Sequence, residues 1–167
     1  MMSRRNTLMG LGAVGAALAG LRTLFFNEPA HAGTPARAYE VTHTDAEWKK
    51  LLTPQQYQVL RHADTERPGS SPLNSEHRAG VFKCAGCALP LFSSKTKFES
   101  GTGWPSFYEP LAKAAVDEET DTTLGMKRTE ALCHRCGGHL GHVFDDGPKP
   151  TGLRYCMNGV AMNFTPT

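Results

Sequence analysis

Two short stretches decide the fold of this chain: Cys84-Ala85-Gly86-Cys87 and, after a gap of 45 residues, Cys133-His134-Arg135-Cys136. In each stretch two residues separate the cysteines, a spacing that lets both sulfurs face one ion across a tight turn. Four thiolates complete the tetrahedral coordination of Zn²⁺, and such a closed site stabilises a fold without doing chemistry. The long gap predicts that the ion clips together two turns from opposite ends of a β-rich body.

The four cysteines could instead form two disulfides, which an oxidising compartment would favour. The N-terminus indicates such a compartment, because a twin arginine, Arg4-Arg5, precedes an apolar run of 14 residues from Leu8 to Leu21. Ala30-His31-Ala32 has the small-x-small pattern of a cleavage site. The run is shorter than the ~20 residues of a membrane-spanning helix. We therefore expect residues 1–32 to be a cleaved twin-arginine signal rather than an anchor, and residues 33–167 to be a periplasmic domain.

The charge balance argues against nucleic acid as a partner. The full chain has 18 basic and 16 acidic side chains, and residues 33–167 keep 15 of each. A nucleic-acid-binding domain shows a clustered basic excess, which this balance does not provide. The length after the predicted signal is that of one domain.

Helix signals lie at the start of this domain and strand signals fill the rest. We expect a mobile leader over residues 33–40, then two short helices that start at the capping motifs Thr44-Asp45-Ala46-Glu47 and Thr53-Pro54-Gln55-Gln56. Further on, short apolar stretches between glycines and prolines favour strands with tight turns. Core strands are predicted over Leu140–Phe144 and Arg154–Met162. The fold class is therefore α+β, mostly β.

Cys156 is the fifth cysteine and is left over by the predicted zinc site. It lies in Gly152-Leu153-Arg154-Tyr155-Cys156-Met157-Asn158-Gly159, which is typical of a strand, so Arg154, Cys156 and Asn158 would project from one face. A guanidinium beside a thiol favours the nucleophilic thiolate, and the Asn158 amide could orient a substrate. A buried, inert cysteine is the alternative, because cysteine is among the most buried residue types.

Two other segments carry candidate functional side chains. His139 and His142 follow the second cysteine pair, and histidines can donate protons near neutral pH. They could equally be ordinary hydrogen-bonded residues. Trp104, in Gly101-Thr102-Gly103-Trp104-Pro105, could form one wall of a small apolar pocket or belong to the core. Spacing alone does not choose between these interpretations.

Taken together, these segments resemble the methionine-R-sulfoxide reductase family, often called MsrB. The resemblance covers residues 42–165 and depends on long motifs in a fixed order, which makes it specific. Besides the two cysteine pairs and Glu47-Trp48, the motifs are Ser100-Gly101-Thr102-Gly103-Trp104-Pro105-Ser106-Phe107, His139-Leu140-Gly141-His142-Val143-Phe144-Asp145-Asp146-Gly147-Pro148 and Arg154-Tyr155-Cys156-Met157-Asn158.

The resemblance implies an oxidoreductase built from two antiparallel sheets, with a structural zinc ion on Cys84, Cys87, Cys133 and Cys136 remote from catalysis. It implies that Cys156 attacks the sulfur of methionine-R-sulfoxide, free or in proteins, and becomes a sulfenic acid as methionine leaves.

The same resemblance implies roles for the surrounding side chains. Arg154 would tune the Cys156 thiolate. Trp104 would cradle the S-methyl group of the substrate, and Phe144 would be a second substrate-binding residue. The groups that bind and protonate the sulfoxide oxygen would be His139, His142 and Asn158.

Thr102 departs from many relatives, which carry a second, resolving cysteine at this position. A threonine cannot form a disulfide, and the other four cysteines are assigned to zinc. The Cys156 sulfenic acid would then be reduced directly by an external thiol, for which a thioredoxin-like donor is expected. Met157 and Gly159 replace residues that are more often Ile or Val, and Ser, in relatives, and we expect little effect from either.

Two other classes of function compete with the reductase. In a zinc-ribbon binding module Cys156 would be inert and would resist alkylation. In a Cys-His hydrolase Cys156 would form an acyl adduct and need no reductant. A zinc deaminase is disfavoured because no His-x-Glu precedes a Pro-Cys-x-x-Cys in this sequence.

Overall fold

The computed structural model describes residues 37–167. The predicted signal and its cleavage site lie outside these residues and stay predictions. No helix in the described part of the chain is long and apolar enough to cross a membrane.

Two short helices open the described region, and both start where the sequence predicts. Helix α1 spans Asp45–Leu51 after Thr44, and helix α2 spans Pro54–His62 after Thr53. Each threonine hydroxyl accepts the N–H of the third helical residue, whose side chain in turn binds the threonine N–H. This reciprocal pair satisfies donors that a helix start leaves free, which is why the two motifs located the helices.

Strands within residues 37–167 form two antiparallel sheets, which confirms the predicted α+β, mostly β class. In chain order the strands are β1 Gly80–Cys84, β2 Pro90–Ser93, β3 Lys97–Phe98, β4 Ser106–Phe107, β5 Val116–Asp121, β6 Arg128–Cys133, β7 His139–Phe144, β8 Arg154–Met157 and β9 Met162–Pro166. One sheet has the order β2-β1-β9. The other has the order β3-β4-β8-β7-β6-β5.

The prediction of a single strand over Arg154–Met162 is wrong. Strand β8 ends at Met157, a 3-10 turn covers Gly159–Ala161, and β9 continues in the other sheet. The reason is a change of hydrogen-bond partner, because the N–H groups of Gly159 and Val160 donate to a side-chain carboxylate and not to a neighbouring strand. Asn158 therefore lies beyond the strand, at the N-cap of the turn.

The described part of the expected leader, residues 37–40, contacts the rest of the domain. Arg37 forms an ion pair of 2.8 Å with Asp117, and the Tyr39 ring covers Gly137. These contacts attach the leader to β5 and to the end of the second cysteine pair. Local sequence patterns do not reveal these contacts, because the partner residues lie 80 or more positions away along the chain.

An aromatic cluster joins the two sheets. Phe82 on β1, Phe92 on β2 and Phe107 on β4 are fully buried. The rings of Phe92 and Phe107 stack with centroids 4.4 Å apart, and Phe82 meets Phe107 edge-on at 4.9 Å. Burying one such side chain contributes roughly 1.5–3 kcal/mol. The cluster thereby holds β4 in place beside β8, the strand that carries Cys156.

Candidate active site

The four paired cysteines meet in one cluster that links the two sheets, since Cys84 ends β1 and Cys133 ends β6. All four sulfurs lie within 4.8 Å of one another. The Cys84–Cys136 and Cys87–Cys133 sulfur separations are 3.7 and 3.4 Å. A disulfide has a bond of about 2.0 Å, whereas tetrahedral zinc with bonds of about 2.3 Å holds its sulfurs about 3.8 Å apart. The cluster therefore fits one metal ion, and neither pair forms a disulfide in the structure.

Cys156 lies inside the six-stranded sheet, between β4 and β7. Its cross-strand neighbours are Ser106 on β4 and His142 on β7. Directly opposite residues project from the same face of a sheet, so the pairing brings His142 beside the sulfur. Gly141 permits this close approach, because a Cβ there would overlap the Cys156 carbonyl oxygen and lie 3.0 Å from the Met157 Cα. The glycine between the two histidines thus sets the distance between His142 and Cys156.

Cys156 opens into a pocket of about 140 Å³. Trp104 and Phe144 give the pocket apolar walls, and His142 and Asn158 give it polar groups. The complete lining consists of Thr65, Trp104, Arg128, Gly141, His142, Phe144, Cys156 and Asn158. Such a space admits the end of one side chain, and it brings together residues that the sequence places in three separate motifs.

His139 and His142 lie on the same side of the sheet because β7 contains a bulge. Residues three apart in a regular strand face opposite ways, but the register with β6 shifts by one residue at Leu140. The two rings are 5.4 Å apart and nearly edge-on. Only His142 borders the pocket of Cys156. His139 is 3% exposed and borders the adjoining cavity, behind His142.

Each histidine has a carboxylate partner that sequence reasoning missed. Glu130 on β6 lies 2.5 Å from His139 Nδ1, and Asp121 at the end of β5 lies 2.9 Å from His142 Nε2. Burial lowers the pKa of His142, and the hydrogen bond to Asp121 opposes part of that shift. The carboxylate fixes the orientation of the His142 ring and leaves its Nδ1 free of this contact. The strand register, which the sequence does not show, was needed to find both partners.

Arg154 is held between an aromatic ring and a carboxylate. Its guanidinium carbon lies 4.3 Å from the centroid of the Phe144 ring. Arg154 donates two hydrogen bonds of 2.8 Å to Asp146. Those bonds raise the pKa of Arg154, and the nearby Cys156 raises it further. The arrangement places a permanent positive charge close to the Cys156 sulfur, on the face that strand alternation predicted.

Asn158 reaches the pocket from the turn after β8. Its Oδ1 accepts the Glu66 N–H at 3.0 Å, and its Nδ2 donates to the Leu140 carbonyl oxygen at 3.2 Å. This pair of partners assigns the oxygen and nitrogen of the amide. The amide nitrogen has a second hydrogen, which is available to the pocket.

Thr102 stands next to Cys156, with its Oγ1 3.7 Å from Cys156 Sγ. Ser100 links Thr102 to Ser106 through hydroxyl contacts of 2.8 and 2.7 Å. Position 102 is therefore in contact with Cys156, and in this chain it carries a hydroxyl. Sequence reasoning missed Ser100 and Ser106, although both stand in the motif that contains Trp104.

Known proteins are similar in sequence to this chain over most of the described region. The SelR domain matches residues 52–166. Three relatives bear the name peptide methionine sulfoxide reductase MsrB. They come from Leptospira interrogans (54% identity over 75% of this chain and 96% of the relative), Thiobacillus denitrificans (58%, 74% and 93%) and Methanosarcina barkeri (56%, 74% and 87%). The chain therefore belongs to the SelR-domain family of MsrB peptide methionine sulfoxide reductases.

Proposed function

We propose that this chain reduces methionine-R-sulfoxide, free or within proteins, to methionine, with Cys156 as the nucleophile. The observation that carries the proposal is the pocket, in which a partly exposed thiol shares one small cavity with two aromatic walls and the polar side chains of His142 and Asn158, among others. Names of relatives that specify methionine sulfoxide reduction support the same chemistry.

In the proposed reaction the Cys156 thiolate attacks the sulfoxide sulfur. The sulfoxide oxygen takes up a proton and passes to Cys156, so that a thiol and a sulfoxide become a sulfenic acid and a thioether. Negative charge builds on the oxygen during the attack, and hydrogen-bond donors there lower the barrier. His142 and Asn158 are placed to donate in the pocket, and His139 behind them is the second imidazole of the proton supply. Arg154 stabilises the charge of the attacking thiolate.

The shape of the pocket supports selection of one sulfoxide epimer. The S-methyl group packs on Trp104, the oxygen faces His142 and Asn158, and the rest of methionine leaves through the mouth past Phe144. The methyl group, the oxygen and the methionine chain are the three substituents of the sulfoxide sulfur, and each has a fixed place in the pocket. The remaining side of the sulfur must face Cys156. Only one of the two epimers can meet both conditions. We assign the R epimer to this arrangement.

Regeneration of Cys156 then depends on an external reductant. Two thiols reduce the sulfenic acid, giving one disulfide, one water and the free Cys156 thiol. Thr102, in the place next to the sulfur, cannot supply a thiol. A thioredoxin-like donor is the proposed partner.

Zinc is the proposed ion of the four-cysteine cluster, because four thiolates at tetrahedral separations are a closed zinc site. The ion would hold β1 to β6 and take no part in the reaction. We also propose export to the periplasm through the twin-arginine segment of residues 1–32. Because that route carries folded proteins, zinc could be loaded before export.

The test uses the purified full chain with the separate R and S sulfoxide epimers of an N-capped methionine, and dithiothreitol as the reductant. Methionine release is expected from the R epimer alone. The Cys156→Ser variant is the control and should release none while it keeps its zinc, because the thiol lies outside the metal cluster. If folded, zinc-loaded protein releases methionine from neither epimer, the reductase assignment is wrong and a binding module is favoured.

A further inference from the structure

A buried carboxylate connects two walls of the catalytic pocket from outside it. Glu66 lies in the loop after α2 and is 5% exposed, although glutamate is almost never fully buried unless it is paired. Its Oε1 accepts the Gly159 N–H at 2.5 Å, and its Oε2 accepts the Val160 N–H at 3.0 Å. Burial raises the pKa of Glu66, and these two N–H donors oppose the shift. The carboxylate thus fixes the turn that directly follows Asn158.

The backbone of the same residue contacts two groups that line the pocket. The Glu66 N–H donates to Asn158 Oδ1 at 3.0 Å, and its carbonyl oxygen accepts the Trp104 Nε1–H at 3.2 Å. Because the Asn158 oxygen is engaged, the amide must turn its nitrogen toward the Leu140 carbonyl and the pocket. One residue therefore sets both the donor that faces the sulfoxide oxygen and the tilt of the indole wall.

The packing at Gly159 is tight on the side that faces Ser71 and Glu66. Gly159 has an ordinary backbone conformation, but a Cβ there would overlap the Ser71 side chain and lie 3.3 Å from Glu66 Oε1. A larger residue at position 159 of this chain would therefore have to displace Ser71 or Glu66.

We propose that Glu66 is a positioning residue of the reductase, which acts through Asn158 and Trp104 and touches neither substrate nor Cys156. It borders a cavity on the other side of the turn from the catalytic pocket. This inference rests on the proposed function. Beyond that function, it states that efficient sulfoxide reduction requires the Glu66 carboxylate, which the sequence motifs did not indicate.

The test separates the reactivity of the thiol from its action on sulfoxide. Glu66→Gln keeps the size of the side chain, but its amide nitrogen must face a backbone N–H, which is a donor against a donor. We expect kcat/KM for the R sulfoxide to fall about tenfold to a hundredfold, because small displacements of positioning groups have effects of that order. The rate of Cys156 alkylation by iodoacetamide should stay within about twofold, because neither Arg154 nor Asp146 is touched.

Controls locate the effect. Glu109→Gln removes an exposed carboxylate and should change neither readout. In an Asn158→Ala background, Glu66→Gln should lower kcat/KM markedly less than in the wild type, because the Asn158 side chain through which Glu66 acts is already absent. An equal loss in both backgrounds overturns the route through Asn158, and an unchanged kcat/KM in Glu66→Gln overturns the proposal.

A second variant, Gly159→Ala, tests the proposal independently in case Glu66→Gln does not fold. Gly159→Ala disturbs the same contact from the opposite side, and it should lower kcat/KM while alkylation of Cys156 persists. Adding Ser71→Gly makes space for the new methyl group and should restore part of the activity. Full activity in Gly159→Ala overturns the proposal. A wild-type protein that is inactive on both epimers would instead show that the proposed function itself is wrong.

Discussion

The close approach of β7 to β8 gives the sharpest prediction, which concerns the substitution Gly141→Ala. The new Cβ would lie 3.0 Å from the Met157 Cα and closer still to the Cys156 carbonyl oxygen. Carbon atoms pack best at about 3.5–4.0 Å, so the two strands must separate by about 1 Å. Since His142 and Cys156 face each other across these strands, these two residues, which we propose to be catalytic, separate with them.

The magnitude follows from the same geometry. Overpacking costs about 1–3 kcal/mol, and a weakened ladder bond costs about 1 kcal/mol more. For a domain of this size a loss of about 2–4 kcal/mol lowers Tm by roughly 6–16 °C. Turnover should fall about a hundredfold, which is the expected order for a displacement of 1 Å.

Thermal unfolding and methionine release by the full chain measure the two effects. Gly80→Ala is the matched control, because a Cβ there would overlap the Thr165 carbonyl oxygen between β1 and β9, in the sheet that does not carry Cys156. It should lower Tm but leave the turnover of the folded protein unchanged. A Gly141→Ala protein with unchanged Tm and unchanged turnover would refute the argument that this glycine sets the distance between His142 and Cys156.

Three further predictions concern the metal, the thiol and the pH dependence. Cys133→Ser should lose the metal ion and unfold at ordinary temperature, because the proposed ion joins the two sheets. Metal analysis and circular dichroism would measure these losses. A metal-free variant with full activity would contradict the prediction. Thr102→Cys should form a disulfide with Cys156 after one turnover without reductant, because Thr102 Oγ1 lies 3.7 Å from Cys156 Sγ. Mass spectrometry of the peptides would detect the disulfide. Two free thiols after turnover would count against a sulfenic acid intermediate. His142 has a lowered pKa in the folded state, so its contribution to stability is present above about pH 6.5 and is lost as pH falls. The free energy of unfolding should therefore decrease less between pH 6.5 and 5 in His142→Gln than in the wild type, and parallel curves would contradict the assignment.

The sequence by itself determined the features that depend on local chemistry. The capping motifs at Thr44 and Thr53 located the first residue of each helix, since a cap and its partner are only three positions apart. The two cysteine pairs predicted one four-cysteine site that joins two turns of a β-rich body, because the spacing within each pair is local. Cys156 and Arg154 were placed on one face by strand alternation, which needs no tertiary information.

Only the tertiary structure decided how distant segments meet. The bulge at Leu140 depends on pairing with β6, and without it alternation puts His139 and His142 on opposite faces. The turn at Asn158 depends on a carboxylate more than 90 residues earlier, so a strand predicted from local pattern ran through it. Hydrogen bonds and close contacts between remote residues are set by strand register and packing. A single sequence records neither, because the same local pattern is compatible with many registers.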